Sequence, residues 1–414
     1  MAQQIRVDSA QQLNNDGGHL SGETLSIKAT RLSNRSGTLQ HRGEQALTLS
    51  LQDGIDNRQG RIITQSQRLT LTGSQLNNQQ GQISAAQIAI NTASSSLNNR
   101  QGVISARKKL ELTSQGVDND RGLIQAGESL TIAAQQGRIS NRETSQSGGI
   151  ISQGPTTLSG DALDNQQGLI VSRGAAQLTT AALNNRSGRV LGGADLTLRA
   201  RGLNNSQGLL QADQHLTLTT QRATLDNTQG ELLAGKGLTL ESGALVNHQG
   251  RIAGKADVAL HTAGQGLDNT AGRLAAGNRL HLDAGQLTNQ QGEIQAFGDI
   301  QASVTGPLDN RQGAVRSQGD LRVTIAQSLN NDSGLLSSGQ QLVVQGASDS
   351  IINNDAGTLV ADQRLQIGVG SLSGVGDLLS HRGMELVFDK RFLHRGRMIA
   401  KGDITASFHQ GVDN

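Results

Sequence analysis

Apolar and polar residues alternate along this chain in short bursts. "GVISA" at residues 102–106 and "LELTS" at 110–114 are examples. Each burst is too short, and its period too close to two, for a helix, so the pattern predicts strands of three to five residues. Polar turns rich in Asn, Gln and Gly separate the bursts. The whole succession of strand and turn then returns, in phase, about every twenty residues.

The repeating unit reads aliphatic-x-Asn-x-x-Gly-x-aliphatic-x-small, then a polar turn, then aliphatic-x-aliphatic. Its Asn falls at Asn15, Asn34, Asn57, Asn78, Asn99, Asn119, Asn165, Asn185, Asn205, Asn227, Asn247, Asn269, Asn289, Asn310, Asn331 and Asn354. A Gly follows three residues after each, as at Gly102, Gly122, Gly188, Gly208, Gly230 and Gly313. The residue two before Asn is Leu, Ile or Val (Leu97, Val117, Leu163), and so is the residue two after Gly (Leu20, Ile104, Val190, Leu359). The residue four after Gly is usually Ala, Ser or Gly. The residue before Asn varies through Asn, Asp, Ser, Thr and Val246, which assigns the structural duty to the second Asn of "NN".

A unit this small cannot bury its apolar face alone, and stacking on its neighbours solves that. Two solenoids fit the period, a parallel β-helix and a leucine-rich repeat. The leucine-rich signature places Asn at the end of a longer leucine run. Here Asn follows Leu by two, and a Gly turn and a fresh strand come next, which favours the β-helix. The expectation is an all-β parallel β-helix of about 20–22 residues per coil and roughly nineteen coils, rising about 4.8 Å per coil to a length on the order of 90 Å. Its aliphatic positions point inward, and Gly provides either a positive φ or a close backbone approach. The Asn amides either stack inward as a ladder or face solvent in the turn. A solvent-facing Asn would interchange with Asp or Ser, as its predecessor does, so the inward ladder is favoured.

The pattern fails in two places. In "NRETSQSGGIIS", residues 141–152, Asn141 takes the ladder place, Gly149 the turn place and Ile151 the inward place. This reading puts five extra residues in an extended turn at 142–148, either a projection with a function or a tolerated insertion. From residue 368 the Asn-x-x-Gly phrase is lost while the alternation persists. We therefore divide the chain into a regular array, 1–367, and divergent coils, 368–414. Val412, Asp413 and Asn414 resume the phrase, so the chain reads as a piece cut from a longer array. Phe388, Lys390, Arg391, Phe392, Arg395 and Arg397 cluster in the divergent part. They read either as a contact surface of aromatic anchors and Arg donors or as larger core residues in a degenerate stretch. Arg35, Arg58, Arg100, Arg186 and Arg311 directly follow ladder asparagines. They form either a sparse basic stripe for anionic glycans or merely solvated turns.

Composition narrows the picture. Trp and Tyr are absent and Phe occurs 4 times, so Leu, Ile, Val and Ala must build the core. Cys is absent, which removes disulfides and Cys-based zinc sites. A net charge of +2 creates no field that draws in nucleic acid, and no apolar run is long enough to insert into a membrane as a helix. Metalloprotease, phosphate-loop and nucleophile-elbow motifs are missing. The 9 His are scattered, so no metal, cofactor or catalytic residue is assigned.

"LNNRQGVISARKKLELTSQGVDNDRGLIQAGESLTI", residues 97–132, closely resembles the filamentous haemagglutinin repeat of large bacterial exoproteins. The likeness covers about residues 5–367. These exoproteins are adhesins and contact-dependent growth inhibition effectors exported by two-partner secretion from Gram-negative bacteria. The resemblance implies a right-handed β-helix forming a filament at the cell surface, exported through an outer-membrane two-partner-secretion transporter and folded outside the cell. It implies a non-enzymatic stalk that projects a receptor-binding or toxin module. The alternatives are that the segment itself binds a receptor or glycan on a target cell, or that it is a β-helical carbohydrate-active enzyme.

Overall fold

A computed structural model describes residues 2–409, residue 147 excepted. Among the described residues every regular element is a strand. The chain divides into two compact units, residues 1–201 and 202–414. Each is a parallel β-solenoid, and the winding amounts to about 20 turns.

One coil of the first unit shows how the sequence becomes the fold. After the turn at Asn99, Val103–Ala106 forms a four-residue strand, a polar corner follows, and Lys109–Asp118 runs back across a second sheet. The next coil repeats this with Leu123–Ala126 and Ser129–Ser140. The coils pair in parallel and in register, Ile104 with Ile124 and Ala106 with Ala126. Leu110 and Leu112 lie beside Leu130 and Ile132 before a shift in register near Ser114. In the second unit the return stretch is split, as in Leu216–Thr219 and Leu225–Asp226.

Pairing in register puts like residues on like. In the first unit Ile62, Ile83, Ile104, Ile124, Ile150, Ile170 and Val190 form one fully buried column. Each such side chain contributes about 1.5–3 kcal/mol by leaving water. Branched aliphatics of nearly equal size stack on themselves, so the core of the first unit does without aromatic rings. At the small position Ala85, Ala106 and Ala126 are buried where the chain bends toward the next sheet. His41 and Thr64 occupy the same place and are satisfied by each other: His41 Nδ1 lies 2.9 Å from Thr64 Oγ1, which donates to Ser66 Oγ at 2.7 Å. Burial holds the His41 imidazole below its usual pKa.

Of the two duties open to the turn glycines, the structure assigns close approach. The residue before each Gly adopts the left-handed conformation instead, with φ of 53° at Gln101, 55° at Arg121 and 55° at Gln229. A Cβ on Gly102 would stand 2.2 Å from the carbonyl oxygen of Asn78 and 2.7 Å from Asn99 Oδ1. Gly122, Gly188, Gly230 and Gly313 are equally confined, at 2.3, 2.1, 2.2 and 2.1 Å from the carbonyl oxygen of the preceding ladder asparagine. Gly208 closes its turn by donating its N–H to the carbonyl oxygen of Asn205 at 2.8 Å.

The extended turn differs from its sequence reading in register. Gly149 pairs with Leu123 and Ile150 with Ile124, so Ile150 is the inward residue and Ile151 is half-buried. Gly148 therefore stands where Gly122 stands, and the turn holds four extra residues rather than five. The insertion is tied down by Thr144, whose buried hydroxyl donates to the carbonyl oxygen of Asn141 at 3.2 Å and accepts from the N–H of Leu169 at 3.0 Å. Residue 147 of the expected projection lies outside the described residues, as does the resumed phrase at 412–414.

These contacts predict opposite outcomes for two glycines close in sequence. Gly272→Ala forces a methyl to 2.2 Å from the carbonyl oxygen of Asn247 and should destabilise by about 1–3 kcal/mol. Gly266→Ala meets nothing within 4 Å and should be neutral or stabilise by about 0.4–1 kcal/mol. Thermal unfolding of the two variants decides between them.

Candidate functional site

The most regular constellation is a column of buried asparagines. In the first unit Asn15 donates through Nδ2 to Asn34 Oδ1 at 2.6 Å, Asn34 to Asn57 at 2.7 Å, Asn57 to Asn78 at 2.7 Å and Asn78 to Asn99 at 2.7 Å. The column continues through Asn119, Asn141, Asn165 and Asn185 at 2.7–2.8 Å. In the second unit it runs from Asn205 through Asn227, Asn247, Asn269, Asn289, Asn310 and Asn331 to Asn354, again at 2.7–2.8 Å. All but Asn15 are fully buried. The second amide hydrogen is used too: Asn99 Nδ2 reaches the carbonyl oxygens of Gly102 and Leu123, both at 3.2 Å. A primary amide donates twice and accepts at its oxygen, so each link leaves no buried polar atom unsatisfied.

Where the residue before a ladder asparagine is Asn or Asp, it commonly has a task too, one its variability concealed. Asn98 Oδ1 accepts from the N–H of Arg100 at 3.0 Å, Asp118 Oδ1 from Asp120 at 3.1 Å and Asn204 Oδ1 from Ser206 at 2.9 Å. Only an acceptor is needed, so Asn and Asp interchange. Outside the turn, the left-handed glutamines form a second, exposed row: Gln59 Nε2 donates to Gln80 Oε1 at 3.0 Å and Gln80 to Gln101 at 3.0 Å. Gln207, Gln229 and Gln249 repeat this in the second unit, at 3.1 and 2.9 Å.

The arginines that follow the ladder do not present a bare basic stripe. Arg35 and Arg58 both bind Asp56, at 2.7 and 2.9 Å, Arg100 lies 3.3 Å from Asp118, and Arg311 lies 2.7 Å from Asp309. Burial alone would raise the Asp56 carboxyl, but hydrogen bonds from Arg58 and Arg35 outweigh it and hold its pKa at about 2.

The divergent coils remodel the column rather than abandon the stack. Asn353 pairs with Ser373, and Gly374 with His394, so the place of Asn354 passes to Gly374 and then to His394. His394 is buried, and burial lowers its pKa. In the adjacent column Ile352, Leu372 and Phe392 succeed one another. Phe388 and Phe392 are 1% and 2% exposed, with ring centroids 4.7 Å apart, and Phe408 stacks on Phe388 at 5.9 Å. Of the two readings the sequence left open for this group, the phenylalanines follow the second: Phe388 and Phe392 are core residues, drawn inward by strand register, and do not anchor a contact surface. Of that group Lys390, Arg391, Arg395 and Arg397 reach solvent, and Arg397 binds Asp377.

The well-exposed phenylalanine is Phe297, at 59%. It borders a shallow groove of the second unit floored by Leu233, Ala253 and Ala275 and flanked by Arg251 and Arg273. Sequence reading passed it over because it lies inside a regular repeat, not where the repeat fails.

A column of amides inside a parallel solenoid, with polar side chains outside and coils of almost constant length, defines a structural repeat protein. The haemagglutinin repeat model matches eight overlapping stretches: residues 2–59, 46–99, 87–145, 136–186, 176–228, 217–265, 251–312 and 298–386. The chain belongs to the haemagglutinin repeat family. Repeats of this kind are typical of two-partner-secretion exoproteins that are secreted or surface-exposed, and with this solenoid they fit a filamentous, adhesin-type stalk. The family is of a structural, adhesin type. Among the described residues no helix is long and apolar enough to cross a membrane. No curated protein and no solved structure matches the chain significantly.

The ladder geometry sets a sharp contrast between neighbouring asparagines. Asn205→Asp would place a carboxylate oxygen against Asn227 Oδ1 and the carbonyl oxygens of Gly208 and Glu231, where Nδ2 now donates at 2.7–3.2 Å. A loss of about 3 kcal/mol or more is expected in thermal unfolding. Asn204→Asp keeps the acceptor for Ser206 and should change stability by about 0.5 kcal/mol or less.

Asp56 adds a pH dependence. Its folded-state pKa of about 2 lies below the ordinary 3.8, so its stabilisation is present above the ordinary value and is lost as pH falls through the folded value. Between pH 3.8 and about 2, the wild-type chain should lose stability more steeply than Asp56→Asn. Parallel slopes for the two proteins in acid-unfolding curves would contradict the assignment.

Proposed function

We propose that this segment is an extracellular stalk of a larger secreted bacterial exoprotein. It carries a receptor-binding or toxin module in adhesion or contact-dependent growth inhibition, and it leaves the cell through an outer-membrane two-partner-secretion transporter. The observation that carries this reading is the asparagine column, kept within each unit through coils of 19 to 24 residues and, in the first, through a four-residue insertion. A constant inner column with varied outer positions suits a spacer. Contacts only between neighbouring coils let folding propagate from the end that first emerges from a transporter. The absence of cysteine and the scarcity of aromatic residues suit a chain threaded unfolded.

A second reading has its own observation. Phe297, 59% exposed beside Arg251 and Arg273, offers an aromatic face and two guanidinium groups to a glycan or a protein receptor. The arginines Arg391 and Arg395 offer a further cationic face.

The two readings separate in a cell-binding assay with the isolated chain. As a stalk it should show no saturable binding to target cells and no cleavage of polysaccharide. Saturable binding lost in Phe297→Ala, or in a chain ending at residue 379, would replace the stalk by a binding module. Polysaccharide cleavage would point instead to a β-helical enzyme.

A further inference from the structure

The solenoid brings together two histidines and an aspartate that lie far apart in the sequence. His261 ends the strand Val258–His261, and His281 and Asp283 lie on Leu280–Ala284 one coil later. The register pairs His261 with Asp283 and Ala259 with His281. The alternating residues Leu260, Leu280 and Leu282 are buried to within 1%, so all three polar side chains stand on the outer face. His261 Nδ1 lies 2.9 Å from Asp283 Oδ2, and His281 Nε2 lies 3.0 Å from the same oxygen. One ligand atom from each of the three residues falls within 4.8 Å of those of the other two.

We propose that His261, His281 and Asp283 form a binding site for a divalent transition-metal ion, with Zn²⁺ the best fit. Two imidazoles and one carboxylate are a ligand set that such ions accept. Metal–ligand bonds of about 2.0–2.2 Å place tetrahedral ligand atoms about 3.3 Å apart. The two distances to the carboxylate oxygen reach that value with movements of a few tenths of an ångström. The side chains are 37%, 38% and 44% exposed, so an ion reaches them from solvent and water completes its shell.

The backbone holds the ligands in place. Val258 N–H donates to the carbonyl oxygen of Arg279 at 2.9 Å, Thr262 to that of Asp283 at 3.0 Å, and Leu280 to that of Asp299 at 2.9 Å. Ala259, the register neighbour of His281, leaves room for that ring to lie over the strand. The ring centroids are 5.3 Å apart and inclined at 57°, so the imidazoles converge on the carboxylate without stacking. An ion bound here would join two successive coils from outside, at a face the asparagine column does not reach. The site is independent of whether the segment acts as a stalk or as a binding module.

Isothermal titration of the tag-free chain with ZnCl₂, paired with thermal unfolding with and without zinc, tests the site. The wild-type chain should take up one ion at this site and unfold at a higher temperature with zinc. His261→Ala and Asp283→Asn should weaken that uptake about 100-fold or more and abolish the zinc-induced shift, while unfolding like wild type without zinc. His248→Ala, at a histidine outside the cluster, should behave as wild type. The near-isosteric Asp283→Asn covers the case in which the alanine variant fails to fold. The proposal is overturned if the variants bind zinc as the wild type does. It is equally overturned if the wild type takes up none at about 1 mM, the weak end of specific affinity. In that case the three residues are only a hydrogen-bonded surface cluster.

Discussion

An amide that gives and takes along a single line is the interaction on which the rest of this structure depends. Asn99 accepts from Asn78 and donates to Asn119, both at 2.7 Å, and its spare hydrogen closes its own turn. No other short side chain does this. Aspartate cannot donate, serine is too short, and glutamine carries an extra methylene into a packed interior. A strand of period two that slips by one residue exchanges its buried and exposed faces. One asparagine per coil fixes the register at the turn, before either strand begins. The neighbouring glycines follow from the same constraint: the column draws successive turns so close that no Cβ fits between the carbonyl oxygen of Asn78 and Gly102.

The departures from the column show which parts of that constraint can be relaxed. In the extended turn the amides of Asn141 and its neighbours stay in line while the chain loops outward, and the Thr144 hydroxyl supplies an acceptor to Leu169. In the last described coils the amide gives way to Gly374 and then to His394, and the lost hydrogen bonds are accompanied by a new apolar contact, the stacked rings of Phe388 and Phe392. Polar continuity and aromatic bulk are thus alternative ways of filling the same interior. Both keep function off the inner faces and leave the outer positions to carry it.

Much of the fold was legible in the sequence. The strand period, the inward aliphatic places and the equivalence of residues about twenty apart follow from a pattern repeated many times over, because a solenoid buries the same positions in every coil. What was not legible depended on register or on neighbours. Ile150 rather than Ile151 turned inward because pairing with Leu123–Ala126 decides the phase after an insertion. Asn98 and Asp118 looked free because any acceptor serves the turn. Phe388 and Phe392 could be read as surface anchors or as core, because composition does not say which face of a strand a residue occupies.

The sequence alone determined that this chain must stack, since units with so short an apolar face and so few aromatic residues have no other way to leave water. It also indicated which asparagines line up, because the same side chain returns at the same place of successive coils. The tertiary structure decided what the outside presents. His261 and Asp283 are 22 residues apart and only become neighbours through strand pairing. Phe297 stands exposed because it falls in the corner just after the strand Glu293–Ala296, where the chain bends away from the core. Outer positions answer to weaker packing constraints, so most of their chemistry leaves little period in the sequence and emerges only when the coils are laid one upon another.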